Sequence, residues 1–395
     1  MARYIGTSVY GIRAPIAKKG DEIADFVVDA VLKAVENSNI AIRDRDVIGV
    51  TESLVARTQG NYASVNDIAD DIKGKFTSDI AIVFPILSRN RFSLLLKGMA
   101  LAGKKIYLFL NYPSDEVGNH LMDVDVMDEA GIDQYKDVLT ESEYRKIFGA
   151  DVKHPFTGID YIEYYKSLGE PGQIDVILAN NPKDVLEYSK QILVANIHER
   201  NRTKKMLLKV GAEKVYTLDE ILASPINGSG YNPEYGILGS NKATDDTIKL
   251  FPYNCQEVVD EIQKRIKDKT NKNIEVLVYG DGAFKDPVGK IWELADPCVS
   301  PGFTKGLAGM PNEIKIKYVA DNDLADMDHE QMMDAMKQRI SAKKENISST
   351  DESAGTTPRQ LTDLLGSLCD LTSGSGDKGT PIILIQGYFD NYATE

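Results

Sequence analysis

Acidic side chains placed beside glycine at the end of an apolar run are the first feature of this sequence able to do chemistry. The stretch EVLVYGDGAFKDP delivers Asp281 between Gly280 and Gly282 and follows it with Lys285 and Asp286. Glycines on either side remove Cβ atoms, so a phosphate and its cation could approach the main chain while Lys285 offsets negative charge. The alternative is a tight turn in which GDG supplies positive φ values. A second acidic pair, Asp160 and Glu163 in HPFTGIDYIEYYKSLG, has the i, i+3 spacing that sets two carboxylates on one helical face. There they could bridge a metal or simply form the wet side of the helix.

Three further stretches offer groups that suit phosphate. GIRAPIAKKGDE carries Gly11, Arg13 and two lysines ahead of a helix start, where backbone amides favour anions. A solvated basic turn would look the same. VTESLVARTQGN ends a buried strand with Thr51, Glu52, Ser53 and then Arg57. TSGSGDKG, near the carboxyl terminus, could wrap phosphates with its amides or serve as a connector. It is not a P-loop, because Asp377 precedes Lys378 and Gly379 follows it. No Ser/His/Asp or Cys/His set stands out for nucleophilic catalysis.

These groups need elements to hold them. GTSVYGIRAPI reads as a strand and turn, GDEIADFVVDAVLKAVENSN as an amphipathic helix, and DRDVIGVTESL as a buried strand. DIAIVFPIL, KKIYLFLNYP, QIDVILANNP, EVLVYGDG and TPIILIQG are short apolar runs closed by Asn, Pro or Gly, as core strands are. RQLTDLLGSLCDL predicts a helix before the last strand. Helical patterns separate the strands at irregular distances, which predicts an α+β (mixed α/β) architecture with mixed sheets and two intertwined subdomains. The expected division is a nucleotide-binding core of 1–150 with 355–395 and a second subdomain over 151–342. The long stretch 224–247 is either a functional loop or a linker, and 343–358 is expected to be a mobile surface loop.

Composition narrows the function classes. The chain has 395 residues, 42% hydrophobic and 27% charged, as expected for a well-filled globular protein. A net charge of −14 repels polyanions, so extended nucleic-acid binding is excluded while small anions can still be held locally. No apolar run is long enough for a membrane span, and a cytoplasmic protein is expected. Cys255, Cys298 and Cys369 lie far apart, which predicts buried inert thiols rather than zinc ligands or disulfides. With four histidines, any metal would be held by oxygen ligands, which favours magnesium or manganese.

The run from GIRAPIAKKGDEIADFVVDAV through RDRDVIGVTESLVARTQGN resembles the opening of the coenzyme F420-0:L-glutamate ligase family. LTDLLGSLCDLTSGSGDKGTPIILIQG is similar to that family's closing helix, small-residue loop and strand. TGIDYIE looks like its AGID segment and YGDGAFKDP like its aspartate-led turn. The chain is longer than the usual member, with the extra length between 62 and 150 and between 190 and 270. Ala56-Arg57 stands where the family has Ser-Lys, and Gly282 where it has a hydroxyl-bearing residue.

The resemblance implies an enzyme, a GTP-dependent and metal-dependent gamma-glutamyl ligase with two Mg2+ or Mn2+ ions, working as a homodimer. Asp160, Asp281 and Gly282 would hold metal. Glu52, Ser53 and Arg57 would lie against the nucleotide, with Glu163 and the loop of Ser373, Gly374, Ser375, Gly376, Asp377 and Lys378 nearby. The turn of Ile12, Arg13, Ala14, Pro15 and Ile16 would wall the nucleotide pocket. A carboxylate is a poor electrophile, so its activation as an acyl phosphate is the standard route to an amide. Arg57, Lys285 or Lys378 would offset charge on the transferred phosphoryl group, and Glu52 or Glu163 would take the amine proton. A folate-like acceptor and a non-catalytic nucleotide-binding protein are the alternatives.

Overall fold

The computed structural model describes residues 4–154, 157–280, 283–285, 292–294, 300–344, 347, 349–353, 360–373 and 376–394. Two sheets of different character organise the chain, and alternation of apolar side chains explains both. The first joins β1 (Ser8–Ile12), β16 (Ile382–Gln386), β2 (Val47–Thr51), β12 (Glu275–Tyr279) and β15 (Gly302–Phe303) in that order. Only β2 and β12 run parallel; the other pairs are antiparallel. Ile48, Val50, Val276 and Val278 pack on one face with α1 (Ile23–Asn37) and α9 (Cys255–Thr270). Val47, Leu277, Ile383 and Ile385 pack on the other with α12 (Leu361–Ser373), as period-two strands buried on both sides must.

The second sheet has the order β6-β7-β5-β4-β8-β9, from β4 (Ile80–Val83), β5 (Ile106–Leu110), β6 (Leu139–Thr140), β7 (Ile174–Leu178), β8 (Gln191–Val194) and β9 (Lys214–Thr217). All its pairs are parallel except β6 with β7. Ile80 and Ile82 pack with α3 (Val65–Lys75), α4 (Phe92–Leu101) and α7 (Tyr161–Lys166). Ala81 and Val83 face the opposite layer with Leu207 of α8 (Arg200–Lys209). The chain thus builds outward from β4 through β5 to β7 and returns to the far side of β4 through β8, a doubly wound plan. Beyond β5, α5 (Val124–Glu129) leads towards β6, and α6 (Glu141–Phe148) packs on β6 and β7 at the sheet edge. Helix starts are written locally: Ser64 with Asp67 and Thr140 with Glu143 form capping boxes at α3 and α6.

A small sheet of β10 (Asn241–Lys242), β11 (Thr247–Lys249) and β3 (Tyr62–Ser64) lies between the two. A hairpin of β13 (Ala283–Lys285) and β14 (Trp292–Leu294) follows β12. Val319 of α10 (Ile316–Asn322) and Met336 and Ile340 of α11 (His329–Ser341) close a satellite cluster. Among the described residues no helix is long and apolar enough to cross a membrane.

The mixed-sheet α+β architecture and the five apolar runs appear as expected. The six-stranded sheet crosses position 150, so the sheets partition the chain elsewhere than at 150–151. Within 343–358, Ile347 is buried and donates its amide to Asn312, and Glu352 accepts from the Lys315 amide at 2.7 Å, so the described part of that stretch is tied down.

Candidate active site

The strand β2 runs directly into α2 (Glu52–Gln59), and this junction founds the site. Leu54, Val55, Ala56 and Thr58 are buried, so the helix presents Ser53 and Arg57, four residues apart, on its open side. Gly60 ends the helix at φ 66°, and a Cβ there would run into the stem of Lys19. The first turn is laid on the same helix end: Gly20 donates to the Thr58 carbonyl at 2.8 Å, and Arg57 Nε donates to the Ala17 carbonyl at 2.6 Å.

The opposite wall comes from the small sheet. Asn61, fully buried, donates to the carbonyls of Tyr231 (3.0 Å) and Phe251 (2.7 Å) and accepts from the Tyr231 amide at 2.9 Å. It thereby clamps the Gly- and Asn-rich stretch 224–247 and β11 to the end of α2. Lys249, paired in register with Tyr62, donates from Nζ to Ser53 Oγ and lies 3.7 Å from Glu52 Oε1. Glu52 is buried and accepts from Thr51 Oγ1 at 2.8 Å.

Between these walls lies a cleft of about 530 Å³ on which Lys18, Lys19, Arg57, Lys242 and Lys249 converge. Ser53, Tyr62 and Thr244 also line it, and among the described residues no acidic side chain does. In a chain of net charge −14 this is a local reversal of sign, and a cleft with one sign of charge concentrates small anions.

The first turn and the carboxyl-terminal loop meet beside this junction. Ala14 donates to the Gly379 carbonyl at 3.1 Å and Thr51 to the Pro381 carbonyl at 3.0 Å. Ser373 ends α12 and its carbonyl accepts from Thr380 Oγ1 at 3.0 Å; Gly376, Asp377 and Lys378 form a single 3-10 turn. Ile12, Arg13 and Pro15 face a separate groove of about 560 Å³ against α1, while Ile16 points to solvent, so the turn reaches the cationic cleft through Lys18 and Lys19.

Asp160 and Glu163 lie together at the start of α7, both beside Arg145, with Asp160 as the cap rather than a residue within the helix. Gly158, at φ 64°, breaks the chain just before it, and Asp160 becomes the N-cap of α7. Its Oδ1 accepts from the amides of Ile162 (3.0 Å) and Glu163 (3.1 Å), and its Oδ2 pairs with Arg145 at 2.5 Å. Glu163 lies 3.6 Å from the same arginine. Both oxygens are therefore engaged by a cation and two helix amides, which does not fit a metal ligand. Asp281, Gly282, Gly374 and Ser375 lie outside the described residues, and Lys285 is described by its backbone in β13 alone. Among the described residues no group of three or more His, Cys, Asp and Glu could hold a metal ion.

Cys255 and Cys369 are free and buried, as expected, and burial pushes the Cys255 thiol up to about 12, out of nucleophile range. Cys298 lies outside the described residues. Tyr62, Lys242, Thr244 and Lys249 line the cleft without having been singled out from the sequence; the length of the 224–247 stretch was a signal for Lys242 and Thr244, and nothing nearby in sequence signalled Tyr62 or Lys249.

Comparison with curated proteins finds no match. A family model described as F420-0:Gamma-glutamyl ligase matches residues 11–387. That span takes in the first turn, the β2–α2 junction, the whole doubly wound sheet and the closing strand, and it leaves out only a few residues at each end. With nearly every element of the fold inside one family's pattern, this chain belongs to the F420-0:gamma-glutamyl ligase family.

Proposed function

We propose that the chain uses GTP to join the amine of L-glutamate to a terminal carboxylate of an F420-0-like small molecule through an acyl phosphate. The observation that carries this reading is the cationic cleft between the first turn, α2 and the small sheet. A triphosphate needs such a cradle, since charge on the transferred phosphoryl oxygens must be offset by groups already in place. Arg57, Lys18, Lys19 and Lys249 supply that charge.

In the first step an oxygen of the acceptor carboxylate attacks the γ-phosphorus, and the bond to the bridging oxygen breaks with the electron pair leaving on GDP. In the second the glutamate nitrogen attacks the acyl carbon, the carbon–oxygen bond to phosphate breaks, and inorganic phosphate departs. The amine gives up its proton to water, while Glu52, buried outside the lining of the cleft and held by Thr51, fixes Lys249 at the cleft wall. GTP rather than ATP, a divalent cation (Mg2+ or Mn2+) and a homodimer belong to the same proposal and rest on the family resemblance. A cytoplasmic location belongs to it on the strength of the sequence's lack of a long apolar run and its scattered cysteines.

The test is a mass-resolved assay with GTP, magnesium or manganese, L-glutamate and F420-0. One glutamate is added per GTP cleaved, and Arg57→Ala lowers kcat/KM for GTP by about 100-fold, with only a small drop in the unfolding midpoint from loss of the Ala17 contact. Phosphate release that proceeds equally without amine and acceptor would remove the ligase reading.

A further inference from the structure

The doubly wound sheet carries a second cavity, of about 710 Å³, that the cationic cleft does not explain. Its walls follow the carboxyl ends of successive strands. Arg89 and Phe92 come after β4, Asn119 after β5, Ile197 after β8 and Leu218 after β9. The sheet reverses its direction of growth between β4 and β8, and open sheets of this kind take ligands outside the strand carboxyl ends at that reversal. Asp115 braces the crevice by joining two of its loops. It accepts from the Leu87 amide (2.8 Å) after β4 and from the Val117 (3.1 Å) and Asn119 (2.8 Å) amides after β5.

The lining states the ligand's chemistry. Phe92, Tyr161 and Tyr164 supply flat apolar surface, and Arg89 and Arg91 supply positive charge, while Lys242 at the rim is paired with Asp245 at 2.6 Å. Among the described residues no carboxylate lines the crevice, although the chain holds 60 acidic residues. Ser240 is 2% exposed, lines the same space, and its hydroxyl has no hydrogen-bond partner. A buried hydroxyl left without a partner is costly, and a polar ligand atom would satisfy it. Lys242 lines both this crevice and the cationic cleft, so the two spaces meet at one side chain.

The geometry points to this crevice as the acceptor site: it takes a ring-bearing, anionic small molecule whose reacting carboxylate extends past Lys242 to the phosphate cleft. This rests on the ligase reading for its second half and on the crevice alone for its first. Calorimetric titration of the full chain with F420-0, without nucleotide, tests it. Arg89→Gln weakens binding about tenfold and Ser240→Ala several-fold, while the affinity for GTP is unchanged in both. Arg89 is exposed and the Ser240 hydroxyl is unpartnered, so neither change threatens the fold. Equal F420-0 binding by the wild type and both variants overturns the inference, as does no binding by the wild type. Binding lost in the variants with no glutamate addition by the wild type would leave the crevice standing and remove the ligase reading.

Discussion

Lys249 and Glu52 show how single residues acquire roles that their neighbours in sequence do not announce. Glu52 is a buried carboxylate at a helix start, and its cation comes from a strand almost two hundred positions away. Asp46 is the contrasting case of a buried carboxylate with a purely structural task. It accepts from the Arg43 amide at 2.7 Å and from Gln386 Nε2 at 2.6 Å, and Gln386 also donates to the Ala41 carbonyl at 2.9 Å. Burial pushes the Asp46 carboxyl above its ordinary value, with the Gln386 and Arg43 hydrogen bonds offsetting part of the rise. The fold therefore favours the neutral acid more than the unfolded chain does. That contribution is fully present below the unfolded value and is lost as pH rises through the folded one. Denaturant unfolding at pH 7 and pH 4 checks this: the wild type gains stability relative to Asp46→Asn as the pH falls. Parallel curves would show that Asp46 titrates normally.

At the scale of elements, close packing leaves visible signatures. Gly49 sits in the middle of β2, and a Cβ there would strike Cys369 Sγ of α12 and press on the Tyr279 ring. Gly49→Ala should destabilise the protein by about 1–3 kcal/mol through overpacking. In urea unfolding, Cys369→Ala in the same chain should recover part of that loss. Much of this scale was legible beforehand. IAIV, IYLFL, IDVIL, EVLVY and IILIQ are strands because β-branched and large apolar residues fill both sides of a buried sheet. TGIDYIE was legible only in part, since an i, i+3 spacing does not say where the helix begins. The helix begins at Tyr161, so Asp160 caps it while still meeting Arg145 beside Glu163.

The whole molecule sets a local positive cleft within an acidic surface. Ionic screening follows directly: the Debye length shrinks from about 10 Å at 0.1 M salt to about 3 Å at 1 M. Affinity for GTP should fall steeply as salt rises, and more steeply than affinity for glutamate, which a titration series at increasing potassium chloride measures. A salt-independent GTP affinity would mean that Lys18, Lys19 and Arg57 do not meet the phosphates.

By itself the sequence determined what depends on near neighbours: which runs are strands and helices, the mixed α+β class, the inert thiols, the acidic surface and the family. Those follow from periodicity, capping and motif spacing, all of which are read within a few residues. Strand order belongs to the tertiary structure, because nothing in IAIV or QILV tells either segment that the other lies beside it. So does the convergence of Lys19, Arg57, Lys242 and Lys249, since each lies on a different element and only the folded chain overcomes the entropy of bringing them together.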